Sequence, residues 1–377
     1  MKIIFVGGGT AGHINPALAL AEHIKSQDPT AEMLYVGAKG GMEEKLVADF
    51  GLNFCGITIS GFSRKLNLQG IKKNLITLKN IIISTQESKS ILNSFKPDIC
   101  VGTGGYVCGP FLRQAAKQKI PFIIHDSNSY PGVTTKLLAK KAAKVMVVDK
   151  NATKHLPKNI KIEITGTPVR RKISTAYSKN DACKKLNLNN CPTILSFGGS
   201  LGAETLNSVM EKLITKLFAK TDFNFIHGFG KKCTGFAEHL ESNGIHTKNN
   251  PRLIIKEYIN NMAECMAAAD LVICRAGATT LSELQSAQKP AILIPSPNVA
   301  ENHQYYNAMA LVNENAASII EEKNLTEEKL AREIEKILAN DKAVAKEYAK
   351  NLKRIAITDS YEKIYKIITD IVNSKPQ

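Results

Sequence analysis

The chain has 377 residues, more than one hydrophobic core usually organises, so two domains are expected. Hydrophobic residues make up 44% and charged residues 22%, a balance that excludes a disordered or fibrous protein. The eight cysteines form no CxxC pair and the amino terminus lacks a secretory signal pattern, so a reducing, cytosolic setting is expected. No apolar run approaches the roughly 18 residues that span a bilayer, and any membrane contact should therefore be peripheral.

The net charge is +16 and is unevenly distributed, because residues 1–168 hold 22 Lys and Arg against 11 Asp and Glu. Such a field attracts anionic partners of several kinds, including nucleic acid, acidic lipid headgroups and phosphorylated substrates. Aromatic residues make up 6% and Trp is absent, so the stacking platforms of single-strand-binding proteins are not evident. Nucleic acid is the less favoured partner.

The first half alternates strand-like runs with helical or loop segments. A short apolar strand at residues 2–6 precedes a glycine-rich turn, Gly7 to His13, and helical apolar spacing follows over residues 16–24. Further strand-like runs lie at residues 33–36, 99–101, 122–124, 145–148 and 161–164. This alternation predicts βαβ units around a parallel sheet, the arrangement of a Rossmann-like domain.

The first glycine turn matches G-x-G-x-x-G through Gly7, Gly9 and Gly12, which alone would suggest a nicotinamide dinucleotide site. That cofactor also requires an acidic residue after the second strand, where this chain reads Gly37-Ala38-Lys39. A turn that binds a diphosphate at a helix amino terminus fits better. His13, beside that turn, is either a cap or packing residue, as histidines near helix starts often are, or a general base, since general bases in enzymes are most often histidines.

The second half begins the same pattern again. A strand at residues 193–197 leads into the turn Gly198 to Ala203 and a helix that includes residues 206–217; the turn either binds phosphate through its amides and Ser200 or serves only close helix packing. A third turn, Arg275 to Thr280, follows a strand at residues 271–274. Glu283, one turn into the next helix, either accepts the hydroxyls of a ribose or complements the helix dipole.

Turn residues at 166–168 predict the domain join, which gives domains at residues 1–167 and 168–355 and a final helical segment at 356–377 that packs back on the first domain. Just past the join, Arg170 is a candidate contact for a nucleotide phosphate. The charged run at residues 321–354 is typical of solvated amphipathic helices with mixed charges. Metal-ligand patterns such as HExxH or paired CxxC are absent from the sequence, so no metal and no cofactor are expected.

Residues 69–92 predict a basic amphipathic helix. Ile71, Leu75, Leu78 and Ile82 fall at helical spacing, with Ile76, Ile81 and Ile83 widening the apolar face. The flanking cations are Arg64, Lys65, Lys72, Lys73 and Lys79. Such a helix either packs its apolar stripe on the domain's own sheet, the more frequent case, or lies on an anionic membrane, and both are compatible with the pattern.

Taken together, these turns and several others resemble the MurG-type glycosyltransferases, which have the GT-B architecture of two Rossmann-like domains with parallel sheets facing across a cleft. The matching motifs run in the expected order from residue 7 to residue 304. They are GGGTAGHINP at 7–16, GGYVCGP at 104–110, HDSN at 125–128, GTPVR at 166–170, GGSLGA at 198–203, RAGATTLSE at 275–283 and HQ at 303–304. The combination is specific, whereas no single motif is.

The resemblance implies inverting transfer of N-acetylglucosamine from UDP-N-acetylglucosamine to the 4-hydroxyl of a lipid-diphosphate-linked N-acetylmuramyl peptide, a step of peptidoglycan precursor synthesis at the cytoplasmic face of the membrane. His13 would be the general base and Asp126 would orient it. The implied acceptor diphosphate contacts are Gly8, Gly9, Gly12, Gly104, Gly105 and Tyr106. The implied donor contacts are Thr10, Ala11, Gly12, Asn128, Arg170, Ser200, Ile259 through its backbone, Ala278, Thr279, Thr280, Glu283 and Gln304.

The chain departs from the family's usual residues at Asp126, Thr167 and Leu201, where Glu, Asn and Gln are typical. Alternatives of the same class are a glycosyltransferase that acts on diacylglycerol and a UDP-N-acetylglucosamine epimerase. An alternative of another class is a non-enzymatic basic module that binds anionic membranes. That module would account for the charge but not for three glycine turns at helix starts.

Overall fold

The computed structural model describes residues 1–61, 67–169 and 177–374, and the chain divides into two compact units. The first unit comprises Met1–Val169 and Ile357–Gln377, and the second comprises Arg170–Ala356. The boundary between the first and second units lies two residues after the join expected at 167/168. The chain returns to the first unit one residue after the end expected at 355.

The first unit is built on seven parallel strands. These are β1 (Lys2–Gly7), β2 (Glu32–Ala38), β3 (Asn53–Ile57), β4 (Ile99–Gly104), β5 (Phe122–Asp126), β6 (Lys144–Val147) and β7 (Ile162–Ile164). They are ordered β3-β2-β1-β4-β5-β6-β7, and every neighbouring pair is parallel. The strand order reverses between β1 and β4, so the carboxyl ends of these two strands mark the switch point where open α/β sheets bind ligands.

The helices of this unit that precede the join cover both faces of the sheet. They are α1 (Ala11–Gln27), α2 (Met42–Phe50), α3 (Leu68–Phe95), α4 (Cys108–Lys117), α5 (Val133–Leu138) and α6 (Lys150–Thr153). Apolar side chains from the two faces of the central strands enter separate core clusters, for example Ile3 and Phe5 on one face and Ile4 and Val6 on the other. Burial on both faces explains why these strands are continuous apolar runs.

The orientation of α3 differs from the more frequent case expected for its apolar stripe. The helix turns small polar side chains inward, where Thr77, Ser84 and Ser88 are fully buried. Thr77 and Asn80 hydrogen bond with Ser60, at 2.9 and 3.1 Å. The stripe residues Ile71, Leu75, Leu78 and Ile82 are each more than half exposed. The interpretation that the stripe packs on the domain's own sheet is therefore wrong. Arg64 and Lys65 lie outside the described residues.

The second unit repeats the architecture with six parallel strands. These are β8 (Thr193–Phe197), β9 (Asn224–Gly228), β10 (Leu253–Lys256), β11 (Leu271–Cys274), β12 (Ala291–Leu293) and β13 (Ser318–Ile319). The order is β10-β9-β8-β11-β12-β13, so the switch point lies between β8 and β11. The helices are α7 (Lys179–Lys185), α8 (Glu204–Phe218), α9 (Phe236–Ser242), α10 (Met262–Ala268), α11 (Ala278–Ala287), α12 (His303–Val312) and α13 (Glu327–Ile355). Two parallel-stranded sheets confirm the predicted fold class.

The charged run, expected to form solvated amphipathic helices, forms α13 over most of its length. Its inner face contributes Leu330, Ile334, Tyr348 and Leu352 to the cores of the second unit. The backbone leaves the helical region at residues 339–342, so α13 is two helical stretches joined by a kink. The mixed charges occupy the outer face, as in an amphipathic helix.

The last helix, α14 (Ser360–Asn373), belongs to the first unit and contacts α1 and β4. Ile364, Ile367 and Ile368 enter the same core cluster as β1 and α1. The hydroxyl of Tyr361 donates a hydrogen bond to the carbonyl oxygen of Val169. The carboxyl-terminal segment is thus fixed to the first unit by apolar burial and by a hydrogen bond to Val169, the last residue of that unit's first segment.

Candidate functional site

Two glycine turns lie in contact at the switch point of the first sheet. Gly7 at the end of β1 pairs with Gly104 at the end of β4. The Gly8 amide donates to the Gly104 carbonyl oxygen at 3.3 Å. A β-carbon on Gly105, whose φ is +89°, would stand 2.3 Å from the Gly8 carbonyl oxygen. Only glycine permits this approach, so the two turns form one compact surface.

His13 projects from the first turn of α1 onto this surface. Its Nδ1 lies 3.0 Å from the Gly8 carbonyl oxygen and 3.3 Å from Oγ1 of Thr10. A carbonyl oxygen can only accept, so the short contact requires the proton to be on Nδ1. The lone pair of the neutral imidazole is then on Nε2, where it is available to accept a proton from a ligand.

The free backbone amides of this turn are those at the amino terminus of α1. The amides of Thr10, Ala11 and Gly12 have no hydrogen-bond acceptor within the described part of the chain, as is usual for the first turn of a helix. The amides of Gly8 and Gly9 differ, because they donate to the Gly104 carbonyl oxygen and to Glu43. An anion at this turn would therefore meet Thr10 to Gly12 first.

Glu43 is a residue of this site that the sequence reasoning missed. It lies in the first turn of α2 and is fully buried. Its Oε1 accepts from the Ala38 amide at 2.8 Å and its Oε2 accepts from the Gly9 amide at 3.3 Å. In the sequence, Glu43 follows a glycine pair at 40–41 and stands in an acidic helix start. That pattern by itself predicts only a turn and an acidic residue that interacts favourably with the helix dipole.

Tyr106 covers the outer side of the first turn. Its ring lies against Gly9, where an added β-carbon would stand 3.2 Å from Cε1. Burial, together with the nearby charge of Glu43, raises the pKa of the Tyr106 phenol, so the hydroxyl is a neutral donor at cell pH. A neutral phenol is suited to donating a hydrogen bond to an anionic oxygen at this turn.

Asp126 ends β5 and organises the loop that follows it. One carboxylate oxygen accepts from the backbone amide and side-chain amide of Asn128, at 3.1 and 3.2 Å. The other accepts from the Gly132 amide at 2.9 Å and the Thr135 hydroxyl at 2.6 Å. None of these four bonds reaches His13, so Asp126 positions Asn128 directly. An orienting role toward the base stays a prediction.

The turn before the join is held by His125. Its Nε2 lies 2.8 Å from the Gly166 carbonyl oxygen, and burial lowers the pKa of its imidazole, so the ring is neutral. Thr167, where the family usually has Asn, has a buried hydroxyl with no hydrogen-bond partner among the residues that the structure describes. Arg170 lies outside those residues.

In the second unit, the turn Gly198 to Ala203 leaves the end of β8. Gly202 has a φ of +84°, and a β-carbon there would stand 2.2 Å from the Phe229 carbonyl oxygen. The carbonyl oxygen of Ser200 accepts from the Lys231 amide at 3.2 Å. Close packing on the 229–231 segment thus explains the glycine, while the Ser200 side chain and Leu201 remain exposed.

The third turn emerges beside the second, because Phe197 and Cys274 are register partners at the ends of β8 and β11. The amides of Ala278, Thr279 and Thr280 begin α11 and have no acceptor within the described ranges, and the buried Thr279 hydroxyl also lacks a partner there. Glu283, on the same helix, is half-buried. This helix start presents free donors to an anion.

Gln304 and Ile259 flank this region on other elements of the second unit. The side-chain oxygen of Gln304 accepts from the Ser296 amide at 2.9 Å, which orients its NH₂ group away from that turn. Ile259 follows β10 and is buried, and its Cδ1 would lie 3.1 Å from a β-carbon at Gly228. Its side chain is therefore a packing group, which leaves its backbone as the part available to a ligand.

Arg275 has a structural role that the sequence reasoning did not identify. Its guanidinium donates to the carbonyl oxygens of Ile294 and Pro295, at 3.1 and 3.3 Å, and forms a largely buried ion pair with Glu322. Glu322 also lines a cavity of about 350 Å³ beside the 295–297 turn. Arg275 thus ties the ends of β11 and β12 together and is not free to bind an anion.

A metal-binding cluster and a membrane-spanning helix are both absent from the residues that the structure covers. No group of three or more His, Cys, Asp or Glu side chains is arranged to hold a metal ion among them. None of the helices in the described ranges combines the length and apolar character needed to cross a bilayer.

Two parallel α/β units, each with a glycine turn and free helix amides at its switch point, define a glycosyltransferase of the GT-B class. The chain belongs to glycosyltransferase family 28: the model of that family's N-terminal domain matches residues 3–147 and the model of its C-terminal domain matches residues 193–364.

Within this family, the chain is similar over its full length to MurG-type enzymes. The chain is 42% identical to the UDP-N-acetylglucosamine–N-acetylmuramyl-(pentapeptide) pyrophosphoryl-undecaprenol N-acetylglucosamine transferase of Acetivibrio thermocellus, over 100% of this chain and 99% of that one. It is 40% identical to the enzyme of that name from Ruminiclostridium cellulolyticum, over 99% and 100%. The crystal structure of Acinetobacter baumannii MurG has a TM-score of 0.76 at 26% identity, over 98% and 99%. The resemblance drawn from the motifs is confirmed.

Proposed function

We propose that the chain transfers N-acetylglucosamine from UDP-N-acetylglucosamine to the 4-hydroxyl of a lipid-diphosphate-linked N-acetylmuramyl peptide, with inversion. The full-length identity of 42% to a transferase of that name supports the substrates. The observation that carries the mechanism is the fixed imidazole of His13, whose Nδ1 is bound to the Gly8 carbonyl oxygen and whose Nε2 is therefore basic.

In the proposed step, His13 Nε2 removes the proton of the acceptor hydroxyl as its oxygen attacks the anomeric carbon of N-acetylglucosamine. The bond from that carbon to the β-phosphate oxygen breaks, and its electron pair leaves with UDP. Attack opposite the leaving group inverts the anomeric centre. General base assistance of this kind supplies typically 10²- to 10⁴-fold.

The acceptor diphosphate is assigned to the first unit. The amides of Thr10, Ala11 and Gly12 supply three donors at the positive end of α1, and the Tyr106 hydroxyl supplies a fourth. The turns Gly8–Gly9 and Gly104–Gly105 then serve mainly to shape this surface, because the Gly8 and Gly9 amides already have acceptors. Thr10, Ala11 and Gly12 are also the residues of this turn that are predicted to contact the donor, UDP-N-acetylglucosamine.

The donor is assigned to the second unit. The α11 amides of Ala278 to Thr280 and the exposed Ser200 hydroxyl bind the diphosphate and stabilise the charge that develops on departing UDP. Glu283 accepts from the ribose hydroxyls, and the backbone of Ile259 binds uracil. The free NH₂ of Gln304 and the positioned side chain of Asn128 bind the transferred sugar. Arg170, also assigned to the diphosphate, lies outside the described residues.

The surface of the first unit supports a peripheral membrane location. The exposed stripe of α3 carries Lys72 and Lys79 among its apolar residues. On α5, Val133 and Leu137 are also more than half exposed, and α3 and α5 both contact α4. An apolar surface with cations at its edge matches the interface of an anionic bilayer, where apolar burial and headgroup attraction act together. The acceptor's lipid would be held in that bilayer.

Two ligand experiments test the substrates. UDP-N-acetylglucosamine should raise the melting temperature of the protein, by an amount equivalent to about 2.7 kcal/mol at a hundredfold excess over its Kd, whereas NAD and DNA should not. Offered diacylglycerol and a short-chain lipid-diphosphate muramyl peptide together, the protein should glycosylate the second. Equal stabilisation by NAD, or transfer to diacylglycerol, would overturn the assignment.

A further inference from the structure

The peptide group between Gly8 and Gly9 is hydrogen bonded at both ends. Its carbonyl oxygen lies 3.0 Å from Nδ1 of His13, and its N–H donates to Oε2 of Glu43 at 3.3 Å. One peptide group therefore links a carboxylate to the imidazole. The order of atoms is that of a carboxylate–histidine pair with an amide placed between the two side chains.

The space for Glu43 is made by two glycines just before it in the chain and by Gly8, which is distant in sequence. A β-carbon on Gly8 would stand 2.1 Å from its Oε1, one on Gly37 would stand 2.4 Å from its Cγ, and one on Gly41 would stand 2.7 Å from its Cδ. Its second oxygen contact, at 2.8 Å, is to the Ala38 amide. Any side chain at these three positions would displace the carboxylate.

Glu43 is buried without a cationic partner in the described part of the chain. No Lys, Arg or His in those ranges forms an ion pair with it. Burying an unpaired carboxylate opposes folding. Lys39, which directly follows β2, is paired with Glu87 instead, and Lys45 is exposed. The backbone amides of Ala38 and Gly9 are therefore its stabilising contacts, and the Gly9 amide is the one that leads to His13.

We propose that Glu43 is a positioning residue for His13, acting through the Gly8–Gly9 peptide. The carboxylate polarises that peptide and strengthens the acceptor that binds Nδ1–H, because hydrogen bonds in a chain reinforce one another at low dielectric. This holds the tautomer with Nε2 unprotonated and stabilises the imidazolium that forms when Nε2 takes the proton. The inference rests on the role of His13 in the proposed function.

The other titratable groups facing this pair stay neutral near pH 7. Burial raises the pKa of Tyr35 well above its ordinary value, raises that of Tyr106, and raises that of Cys108 to about 12. The carboxylate of Asp126 is bound within its own loop. A change in the pH dependence of turnover on altering Glu43 therefore reports on its link to His13.

The test compares Glu43→Gln with Glu44→Gln. Glu44 is the next residue, exposed, and accepts from the Gly40 amide at 2.9 Å, so it gives the same loss of charge at the same helix start. Glu43→Gln should lower kcat about tenfold, as altering a group that orients a reacting side chain commonly does, and should leave KM for UDP-N-acetylglucosamine unchanged. It should also move the acid limb of the pH–rate profile to lower pH, whereas Glu44→Gln should change none of these.

The position of the acid limb of the pH–rate profile distinguishes a positioning role of Glu43 from a loss of folded protein. A smaller folded fraction lowers the apparent kcat without moving that limb. If Glu43→Gln does not fold, Glu43→Asp keeps the carboxylate but shortens it, so it should weaken the bond from the Gly9 amide and move the limb in the same direction by less than full charge loss. A limb that is unmoved in Glu43→Gln, or that is displaced in Glu43→Asp as for full charge loss, would overturn the inference.

A double variant separates the inference from the proposed function. Once His13 is alanine, Glu43→Gln should cause no further loss of turnover, because its effect passes through the imidazole. A further tenfold loss in that background would contradict the inference while leaving His13 as the base. If His13→Ala alone retained full turnover, the proposed mechanism itself would fail.

Discussion

The imidazole of His13 lies directly against Gly104. A β-carbon at Gly104 would stand 2.6 Å from His13 Cδ2 and 2.9 Å from Nε2, and the Gly104 backbone has a φ of +112°. The glycine at the end of β4 is therefore required both by the backbone and by the ring that packs on it. The position of the proposed base is fixed by two strand ends that are nearly a hundred residues apart in sequence.

Gly104→Ala should displace His13 and lower kcat by about tenfold or more, with little change in the affinity for UDP-N-acetylglucosamine. The physical reason is the overlap of the new methyl group with the imidazole. Steady-state kinetics with calorimetric measurement of donor binding checks this. Gly109→Ala is the matched control, since no atom lies within 4 Å of its added β-carbon and it is in α4. Wild-type turnover in Gly104→Ala would show that the ring position is not critical.

The sequence allowed the strands at both switch points to be predicted because they are buried on both faces. The runs predicted at 193–197 and 271–274 coincide with β8 and β11, and each is bounded by turn residues. Strand β3 was missed because Asn53, Cys55 and Gly56 give it no apolar run. Strand β13 was missed because two residues are too short to show a period.

Other features depend on contacts between distant residues and had no local signal. Helical spacing revealed the stripe on α3 but not which face it occupies; the hydrogen bonds from Thr77 and Asn80 to Ser60 decide that. Glu43 resembled an ordinary acidic helix start because Gly8, which its carboxylate packs against, comes from a distant part of the chain. The candidate donor and base residues came from motifs, and their roles remain predictions.

Glu283→Ala should weaken binding of UDP-N-acetylglucosamine about tenfold or more, because two ribose hydroxyls lose a charged acceptor. Isothermal titration with UDP-N-acetylglucosamine and with UDP should show the same loss for both, since the ribose is common to them. Glu335→Ala, on the exposed face of α13, should leave both affinities unchanged. Unaltered affinity in Glu283→Ala would remove this residue from the donor site.

Replacing Lys72 and Lys79 with alanine should weaken binding to anionic vesicles by about 10- to 30-fold at low salt, at about 1 kcal/mol for each charge. The difference from the wild type should shrink as ionic strength rises. Replacing Leu75 and Ile82 with serine should weaken binding at all salt concentrations, because apolar burial is not screened. Sedimentation with phosphatidylglycerol vesicles measures both. Unchanged binding of both variants would show that α3 does not contact the membrane.

Asp270 should make the second unit sensitive to acid. Its burial would raise its pKa, but hydrogen bonds from Lys179, Lys342 and the Thr193 amide outweigh burial and lower the pKa below 3.8. A lowered folded-state pKa means that this stabilisation is present above the unfolded pKa and is lost as the pH falls through the folded value.

Asp270→Asn should therefore reduce the free energy of unfolding at pH 7 by about 2–3 kcal/mol, since two partly buried ammonium groups lose their partner. The difference from the wild type should narrow as the pH falls below 3.8. Asp370→Asn removes an exposed pair with Lys366 and should leave stability nearly unchanged, because solvent screens such a pair. Denaturant titrations at pH 7 and pH 3 give these values. Equal losses in the two variants would refute the prediction.

The most direct measurement is transfer of labelled N-acetylglucosamine from UDP-N-acetylglucosamine to a short-chain lipid-diphosphate muramyl peptide, followed for the wild type and for His13→Ala. The wild type should form the β-linked disaccharide product, and the variant should bind the donor normally while turning over about 10²- to 10⁴-fold more slowly. No transfer to this acceptor by the wild type, or turnover of His13→Ala within about threefold of the wild type, would contradict the account.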